Sequence, residues 1–380
     1  MYFDYAATTP PNLEVLKTFD AVNRDFWANP HALHRLGIRA ESMLEQSRKQ
    51  VLSLLGAERE CRCIFTSCAT EANNMALKSI VRQYGHRGSH IITSAVEHPS
   101  VLEVCRFLET EGCELTVLPV DSTGRIASET LEDALRADTA LVSLMHVNNE
   151  IGSINDIEKL GNVVKAHSNA VFHVDAAQSV GKFALALDGG PVDMLTFSAH
   201  KFFGLKGAGA LIMKKRLSLP PLLHGGGQED GFRSGTADTA RAAALAKALR
   251  LSLENHEAVY ARLQSFKAAL VTALTEIEGA TLNGAFEHTS PFIINCSISG
   301  VRPETILHGL AEKDLYISTV SACSSKKTAE SSVVLALTGS HERAQSSLRI
   351  SLSGLTTQDE VDTLCRTIGA VVEALRFKRK

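Results

Sequence analysis

The stretch AVFHVDAAQSVGKFALALDGGPVDMLTFSAHK, residues 170–201, decides the fold of this chain. It contains two short apolar runs, 170–175 and 193–197, and polar residues follow each of them. Apolar runs of this length, without strict alternation, are typical of strands buried on both faces of a sheet. Asp175 ends the first run, and Ser198-Ala199-His200-Lys201 follows the second. The stretch therefore predicts two buried strands whose carboxyl ends carry reactive side chains.

Strand-like and helical segments alternate on both sides of this stretch. The further strand-like runs are residues 62–66, 90–93, 115–120, 140–147 and 210–213, which makes seven in all. Helical patterns lie among them at 37–56, from about residue 71, after Pro99 and near 128–137. Such alternation predicts an α/β fold with a mostly parallel sheet that is covered by helices on both faces.

The pattern changes after about residue 237. A long helical stretch covers about 237–278 and is followed by a strand-like run at 291–298, a helix after Pro303 and a helical segment at 357–377. This order indicates a second, smaller α+β unit. The expected division is a large domain over residues 12–250 and a small domain over residues 251–380 together with residues 1–11.

Composition excludes several classes of protein. The formal net charge of the 380 residues is −3, which gives no electrostatic basis for direct binding to nucleic acid or to a membrane surface. No run approaches the roughly 20 apolar residues of a membrane span, and the first residues do not resemble a secretion signal. The 8 cysteines include no CxxC pair, so neither a disulfide framework nor a metal site is indicated. We expect a cytoplasmic protein with free thiols.

Three of the polar residues at predicted strand ends suggest a common chemistry. Lys201 could form a Schiff base, Asp175 could hold a pyridinium nitrogen, and the helix that starts near Thr70 could bind a phosphate. A pyridoxal-phosphate (PLP) site needs these three parts. Each residue alone also has a commoner role, because lysine is usually a surface charge and Asp after a strand is often a helix cap.

Longer motifs make the same assignment more specific. The run SAHKFFGLKGAGALIMKK (198–215) resembles the PLP-lysine segment of class V aminotransferases, and HVDAAQSVGK (173–182) resembles their pyridine-binding segment. Other motifs resemble NifS/IscS-type cysteine desulfurases and occur in family order. They are YFDYAATTP (2–10), TSCATEANN (66–74), EHPSV (97–101), VNNEIGSI (147–154), GGGQEDGFRSGT (225–236), SACSS (321–325) and SLRISLSGLTTQDEVD (347–362).

The resemblance implies a PLP-dependent transferase of fold type I and a role for each matching residue. Lys201 would bond to the cofactor, and His98 would stack on its ring and transfer protons. The other implied cofactor contacts are Asp175 with the pyridine nitrogen, Gln178 with the ring hydroxyl, Asn148, and Ala69, Thr70, Ser198 and His200 with the phosphate. Thr236 would reach the phosphate in a neighbouring subunit, which implies a homodimer. Asn148 and Arg349 would bind the L-cysteine substrate.

Cys323 is the residue that would specify sulfur chemistry. It lies in a polar, hydroxyl-rich sequence that predicts an exposed loop, and Lys326 and Lys327 follow closely and would favour the thiolate. Cys296 lies in an apolar run and fits the usual buried, inert cysteine. We therefore expect Cys323 to be the catalytic nucleophile that receives a persulfide while L-alanine is released.

Two other functions stay open from the sequence. One is another class V PLP enzyme, such as a selenocysteine lyase or an aminotransferase. The other is a non-catalytic scaffold subunit that keeps only the fold. The sequence does not identify the sulfur acceptor, for which an enzyme of tRNA thiolation or an iron–sulfur scaffold protein is expected.

Overall fold

The computed structural model describes residues 1–86, 88–319 and 330–377. Two sheets organise this part of the chain. The larger sheet has seven strands in the order β1-β7-β6-β5-β4-β2-β3. Its strands are β1 (Cys61–Thr66), β2 (His90–Ser94), β3 (Glu114–Leu118), β4 (Thr139–Met145), β5 (Val171–Asp175), β6 (Met194–Ser198) and β7 (Gly209–Lys214).

The large sheet is mostly parallel, as predicted. Strands β2 to β6 pair in parallel, and β7 runs antiparallel to both β1 and β6. Every residue of β2, β4, β5 and β6 is buried, which explains why these segments read as continuous apolar runs. Because β1, β2, β4, β5 and β6 point the same way, their carboxyl ends meet at one edge of the sheet.

Helices cover both faces of the large sheet. They are α1 (Leu13–Asp25), α2 (Arg35–Leu54), α3 (Ala69–Tyr84), α4 (Pro99–Thr110), α5 (Ser128–Ala134), α6 (Ile157–His167) and α7 (Thr239–Leu253). Local chemistry sets where they begin. The α3 turn resembles a capping box, since the Ser67 N–H donates to Glu71 Oε2 over 2.8 Å. Pro99 occupies the first position of α4, where its missing N–H costs nothing.

The smaller sheet is antiparallel, in the order β10-β11-β9-β8. Its strands are β8 (Ala280–Leu282), β9 (Ile293–Ile298), β10 (Ser318–Thr319) and β11 (Ser347–Ser351). The helices of this unit are α8 (His256–Thr275), α9 (Pro303–Ala311), α10 (Ser332–Thr338), α11 (His341–Gln345) and α12 (Gln358–Phe377).

The long helical stretch expected over 237–278 is in fact two helices, α7 and α8. The chain turns at Glu254 and Asn255, where Asn255 leaves helical geometry with φ −130° and ψ 22°. Helix α7 packs into the core of the large sheet through Leu245 and Leu249, whereas α8 contributes to the core of the small sheet. The predicted domain division near residue 250 stays a proposal, and this change of core supports it.

The N-terminal segment belongs to the small sheet at its start and to the large sheet soon afterwards. Phe3 is fully buried in the core of the small unit; its N–H donates to Tyr316 O over 2.8 Å and its carbonyl accepts from Ser351 N over 2.7 Å. Six residues later, Thr9 N donates to His200 O over 2.9 Å. Residues 1–9 therefore pass from one unit to the other beside Lys201.

We expect Phe3→Ala to destabilise the small unit by about 3–5 kcal/mol, because it removes a fully buried aromatic ring. Urea unfolding followed by circular dichroism would measure the loss. Phe377→Ala is the control, since Phe377 is 76% exposed and its removal should cost under about 0.5 kcal/mol. Equal effects of the two substitutions would contradict the packing of the N-terminal segment into this core.

Candidate active site

Asp175 lies at the carboxyl end of β5 and is 5% exposed. Its Oδ1 accepts a hydrogen bond from Ala177 N, and its Oδ2 accepts from Asn73 Nδ2, both over 2.9 Å. An ionised carboxylate only accepts hydrogen bonds, and both oxygens here face donors. The fold therefore presents Asp175 as a fixed carboxylate at the edge of the sheet.

His98 is linked to Asp175 through two side chains that the sequence did not single out. Its Nδ1 accepts from Ser100 N over 3.1 Å and lies 2.8 Å from Ser100 Oγ. Ser100 Oγ in turn accepts from Asn73 Nδ2 over 2.9 Å. Because Nδ1 accepts, the proton of the neutral imidazole resides on Nε2. The Asn73 amide thus divides its two N–H donors between Asp175 and the residue that orients His98.

Burial lowers the pKa of His98, while the charge of Asp175 raises it and that of Lys201 lowers it. Asp175 and Lys201 therefore each lie within electrostatic range of His98. The lowered pKa favours neutral imidazole near pH 7. His98 is therefore suited to hold or pass on a proton at Nε2.

The polar network continues below the site. Thr196 Oγ1 donates to Asn73 Oδ1 and lies 3.1 Å from His173 Nε2. His173 Nδ1 lies 2.8 Å from Ser143 Oγ, and burial lowers the pKa of His173 to about 4. This imidazole is neutral and structural. Strands β4, β5 and β6 and helix α3 are thereby joined through hydrogen bonds in an otherwise apolar interior, which fixes their relative positions.

Lys201 follows β6 in a single turn of 3₁₀ helix. Its Nζ donates to Ala6 O over 2.8 Å and to Ala7 O over 2.9 Å. Gln178 binds the same segment, because its Nε2 donates to Ala6 O over 2.9 Å. The N-terminal segment therefore brings the predicted lysine and glutamine together, although neither pairing was evident in the sequence.

The start of α3 and the turn after β6 together form a candidate phosphate site. Cys68 is the N-cap of α3 and provides no side-chain cap within the described residues, so the first N–H groups of the helix, from Ala69 and Thr70, remain for a ligand. Gly209 permits this arrangement, because a Cβ there would lie 2.8 Å from the Cα of Cys68.

Two predicted phosphate ligands are the last residue of β6 and a residue of the turn that follows it. Ser198 Oγ donates weakly to Ala208 O over 3.4 Å, and His200 Nδ1 lies 3.1 Å from Thr8 Oγ1. Burial, together with the charges of Lys201, Lys206 and Lys182, lowers the pKa of His200 to about 4. His200 is therefore neutral, and it would act on a phosphate as a hydrogen-bond donor.

Arg349 on β11 is 7% exposed. Its Nη2 pairs with Asp4 Oδ1 over 2.8 Å, and its Nη1 donates to Asn149 O over 2.9 Å. Its Nε is buried and has no hydrogen-bond partner in the part of the chain that the structure describes. A buried N–H of a cation is costly to leave unpaired, so this guanidinium fits an anionic ligand such as a carboxylate.

The side chain of Asn148 makes its hydrogen bonds to the backbone of its own turn and of Val96. Its Nδ2 donates to Val96 O over 2.9 Å, and its Oδ1 accepts from Glu150 N and Ile151 N over 2.8 and 2.9 Å. These bonds fix the loop that presents Asn149 O to Arg349. A direct contact of Asn148 with cofactor or substrate stays a prediction.

Thr236 is exposed, and the loop that carries it is held by two ion pairs. Glu229 binds Arg48 of α2 through bonds of 2.7 and 3.2 Å, and Arg233 binds Glu71 of α3 over 2.8 Å. Both pairs are mostly shielded from water. The loop is thus anchored beside the start of α3 while Thr236 remains accessible.

Cys323 lies outside the described residues, but both flanks of its segment are placed. On one side, Ser318 of β10 pairs with Arg349 of β11. On the other side, Ser331 Oγ donates to Glu150 Oε2. Burial raises the pKa of Glu150 to about 7, against the opposing effects of Ser331 and Arg349. The segment therefore starts and ends at residues in contact with the candidate site.

These residues fit PLP. The site offers an amine, a carboxylate fixed by two donors, a helix start that no described side chain caps and an arginine with an unpaired buried N–H. The amine matches the aldehyde of PLP, the carboxylate matches its pyridinium nitrogen, and the helix start matches its phosphate. The arginine matches the α-carboxylate of an amino acid.

Among the described residues there is no group of three or more His, Cys, Asp or Glu side chains that could hold a metal ion. None of the described helices is long and apolar enough to span a membrane.

Glu97, next to His98, is a further buried acid that the sequence did not single out. Its Oε1 accepts from Ser94 Oγ over 2.7 Å and from Met145 N over 2.9 Å, which ties the ends of β2 and β4 together. Its Oε2 is buried with no partner in the described residues. Burial raises the pKa of Glu97 to about 8, the nearby Asp175 raises it too, and the two hydrogen bonds oppose the rise.

The chain is similar to known proteins over almost its whole length. The aminotransferase class-V family matches residues 1–364. "Cysteine desulfurase IscS" of Serratia proteamaculans (strain 568) is 40% identical over 381 aligned residues, which cover 99% of this chain and 93% of the relative. A solved structure called "NIFS-LIKE PROTEIN" superposes with a TM-score of 0.92 at 34% identity, covering 99% of this chain and 100% of its own. A second, "SspA in complex with cysteine", gives 0.82 at 33% identity, covering 94% and 99%.

We expect Glu97→Gln to make the folded protein less sensitive to alkaline pH. Between the ordinary glutamate pKa of about 4.5 and its folded value of about 8, the folded chain holds a proton that the unfolded chain has lost. Stability from this group therefore falls as pH rises through that window. Glutamine does not titrate and keeps the Oε1 acceptor, so the variant should lose less melting temperature than wild type between about pH 6 and about pH 9.

Glu109→Gln is the matched control, because Glu109 is an exposed glutamate on α4, the helix that begins just after Glu97. It should follow the wild-type melting curve at every pH. If Glu97→Gln also follows that curve, Glu97 is ionised in the folded state and its assignment as a neutral acid is wrong.

Proposed function

Because the chain belongs to the class V aminotransferase family, we propose that it is a PLP-dependent cysteine desulfurase that converts L-cysteine to L-alanine and moves the sulfur atom to its own Cys323. The observation that carries this proposal is that Asp175, His98 and Lys201 lie together after strands of the large sheet, while Arg349 of the small sheet binds the same N-terminal segment as Lys201 and pairs with Ser318, a flank of the Cys323 segment. The relatives of known function support sulfur chemistry over transamination.

The assigned residues divide the binding of cofactor and substrate among them. PLP, when bound, supplies an electron sink that stabilises negative charge on the α-carbon of an amino acid. Lys201 would hold it covalently, Asp175 would pair with the pyridine nitrogen, and Gln178 would donate to the ring hydroxyl. Its phosphate would be held by Ala69, Thr70, Ser198 and His200. Arg349 would bind the substrate carboxylate through its guanidinium.

The protein's own groups would then carry the proton and sulfur transfers. Lys201 takes the α-proton of L-cysteine, and His98, neutral at Nε2, serves as the second proton carrier. The Cys323 thiolate attacks the substrate sulfur, so that a sulfur–sulfur bond forms while the bond from that sulfur to the substrate β-carbon breaks. The β-carbon takes up a proton, the α-carbon regains the proton that Lys201 removed, and L-alanine results, while Cys323 is left as a persulfide. No external oxidant is needed, because the carbon is reduced as the sulfur is oxidised.

A homodimer would complete the site through Thr236. The exposed loop that carries it is held by Arg48 of α2, and the start of α2 and the preceding turn expose large apolar side chains. These are Trp27 (72% exposed), Leu33 (95%), Leu36 (42%) and Ile38 (55%). A group of exposed apolar residues is typical of an interface. We infer that a second copy covers them and receives Thr236 at its phosphate site.

The remaining assignments concern the surroundings of the enzyme. We infer a cytoplasmic location, which suits free thiols and a reactive cysteine. The persulfide would pass to an acceptor protein, either an enzyme of tRNA thiolation or an iron–sulfur scaffold protein. The acceptor is expected to approach near the flanks of the Cys323 segment.

The activity is tested by incubating the PLP-loaded protein with L-cysteine and a reductant and measuring alanine and sulfide together. We expect equal amounts of both products. Cys323→Ala should retain PLP but lose sulfur transfer, because the nucleophile is gone. Cys365→Ala is the matched control, since Cys365 is a half-buried thiol on α12, away from the site, and should react as wild type does.

Sulfide release from Cys323→Ala at the wild-type rate would refute the role of Cys323. No alanine from the PLP-loaded wild type would refute cysteine as the substrate. Release of alanine from L-selenocysteine by Cys323→Ala, with none from L-cysteine, would instead favour a selenocysteine lyase.

The dimer is tested with a Leu33→Asp, Ile38→Asp double variant, in which two charges lie in the inferred interface. We expect light scattering to show a shift from dimer to monomer, and PLP retention to fall because Thr236 no longer reaches the neighbouring phosphate. Phe377→Asp, an equally exposed apolar position on α12, should remain dimeric. A dimer that survives the double variant would place the interface elsewhere.

A further inference from the structure

Lys182 is a buried lysine for which the proposed reaction has no use. It is 9% exposed and follows Gln178 by four residues in the turn after β5. Its Nζ donates to Gln178 Oε1 over 2.8 Å and lies 5.4 Å from the centre of the Phe292 ring. Burial and the charges of Lys201 and Arg349 lower its pKa to about 7, so this position disfavours the charged form of the amine. A buried lysine at such a position calls for a specific partner.

The contacts of Gln178 allow one orientation of its amide. In its charged form Lys182 donates hydrogen bonds and accepts none, so the atom that faces its Nζ must then be the amide oxygen. On the other side, the carbonyl of Ala6 accepts hydrogen bonds and donates none, so it must face the amide nitrogen, which it meets at 2.9 Å. The reversed amide would place NH₂ against the ammonium and C=O against C=O. Both neighbours therefore select the same orientation.

That orientation determines what Gln178 offers to the cofactor. The amide nitrogen has two N–H donors, and Ala6 O takes one of them. The second N–H is then available for an oxygen in the site. A ring hydroxyl of PLP that has lost its proton accepts such a donor, whereas it would be repelled by an amide oxygen in the same place.

We propose that Lys182 is a positioning residue that holds the Gln178 amide with its nitrogen toward the hydroxyl of PLP. This inference rests on the proposed function only in that Gln178 contacts that hydroxyl, and it does not depend on the sulfur chemistry. Lys182 acts through Gln178 and does not itself touch the cofactor. Lys182 would therefore affect the affinity for PLP only while Gln178 is present.

The test is a double-mutant cycle on the dissociation constant of PLP, measured by absorbance on the full-length protein. Lys182→Met keeps the apolar stem and removes the donor, and Gln178→Leu removes the amide. We expect Lys182→Met to weaken PLP binding about tenfold in the wild-type background, the scale of one lost hydrogen bond in a buried site. In the Gln178→Leu background the same change should have almost no effect, because the contact it removes is already gone.

Lys267→Met is the matched control for loss of a buried ammonium. Lys267 is 3% exposed and binds Thr289 and Ser290 in the small unit. This variant should leave PLP affinity unchanged even where it lowers the melting temperature. If Lys182→Met does not fold, as judged from the melting of the apoprotein, Lys182→Leu, which also lacks a donor, takes its place in the same cycle.

Two results would overturn the inference. One is an equal loss of PLP affinity in both backgrounds, which would assign Lys182 a general structural role. The other is unchanged affinity of Lys182→Met in the wild-type background. Failure of the desulfurase assignment would be distinguishable from both results. The protein would then release no alanine from L-cysteine, while Lys182→Met would still weaken PLP binding only when Gln178 is present.

Discussion

The arrangement of the site depends on the carboxamide of Asn73. Its nitrogen donates both to the Asp175 carboxylate and to the hydroxyl of Ser100, and its oxygen accepts from Thr196. One side chain on α3 therefore fixes an acid on β5, the residue that orients His98 on α4, and a residue on β6. Since the amide is fully buried, loss of any one partner would leave a polar atom unsatisfied in a dry interior. Such a network tolerates one arrangement, which explains how groups from four elements keep a common geometry.

Lys201 and Arg349 are placed by a second constraint, the N-terminal segment. Ala6 and Ala7 receive the lysine amine through their carbonyls, while Asp4 pairs with Arg349 from the small unit. Lys201 and Arg349 are thus oriented by neighbouring residues of the N-terminal segment. The large sheet supplies the cofactor groups, and this segment connects them to the arginine on β11.

The sequence predicted the elements of the site better than their connections. Buried strands such as β5 and β6 are continuous apolar runs, and the reactive residues follow their carboxyl ends, so Asp175 and Lys201 could be located from local pattern alone. Asn73 could have been suspected, because it is a polar residue on the apolar, buried face of α3. Its partner Asp175 is 102 positions away, and no local period encodes such a pairing. The break between α7 and α8 was missed because a turn of two residues hardly disturbs helical periodicity, and the self-contained turn of Asn148 cannot be inferred from residue type.

The joining of Phe3 to Tyr316 and Ser351 has a consequence for how the protein is made. Phe3 leaves the ribosome long before its partners, because its backbone hydrogen bonds join it to residues that lie further along by more than four-fifths of the 380 residues. The large sheet can form earlier, during synthesis, because its strands all lie between residues 61 and 214. Contacts of such long sequence separation form late, so the N-terminal segment that binds the lysine would be held in place only after Tyr316 and Ser351 have been synthesised. A nascent chain that has not reached these residues would therefore remain without a finished amine site, and cofactor loading would follow their synthesis.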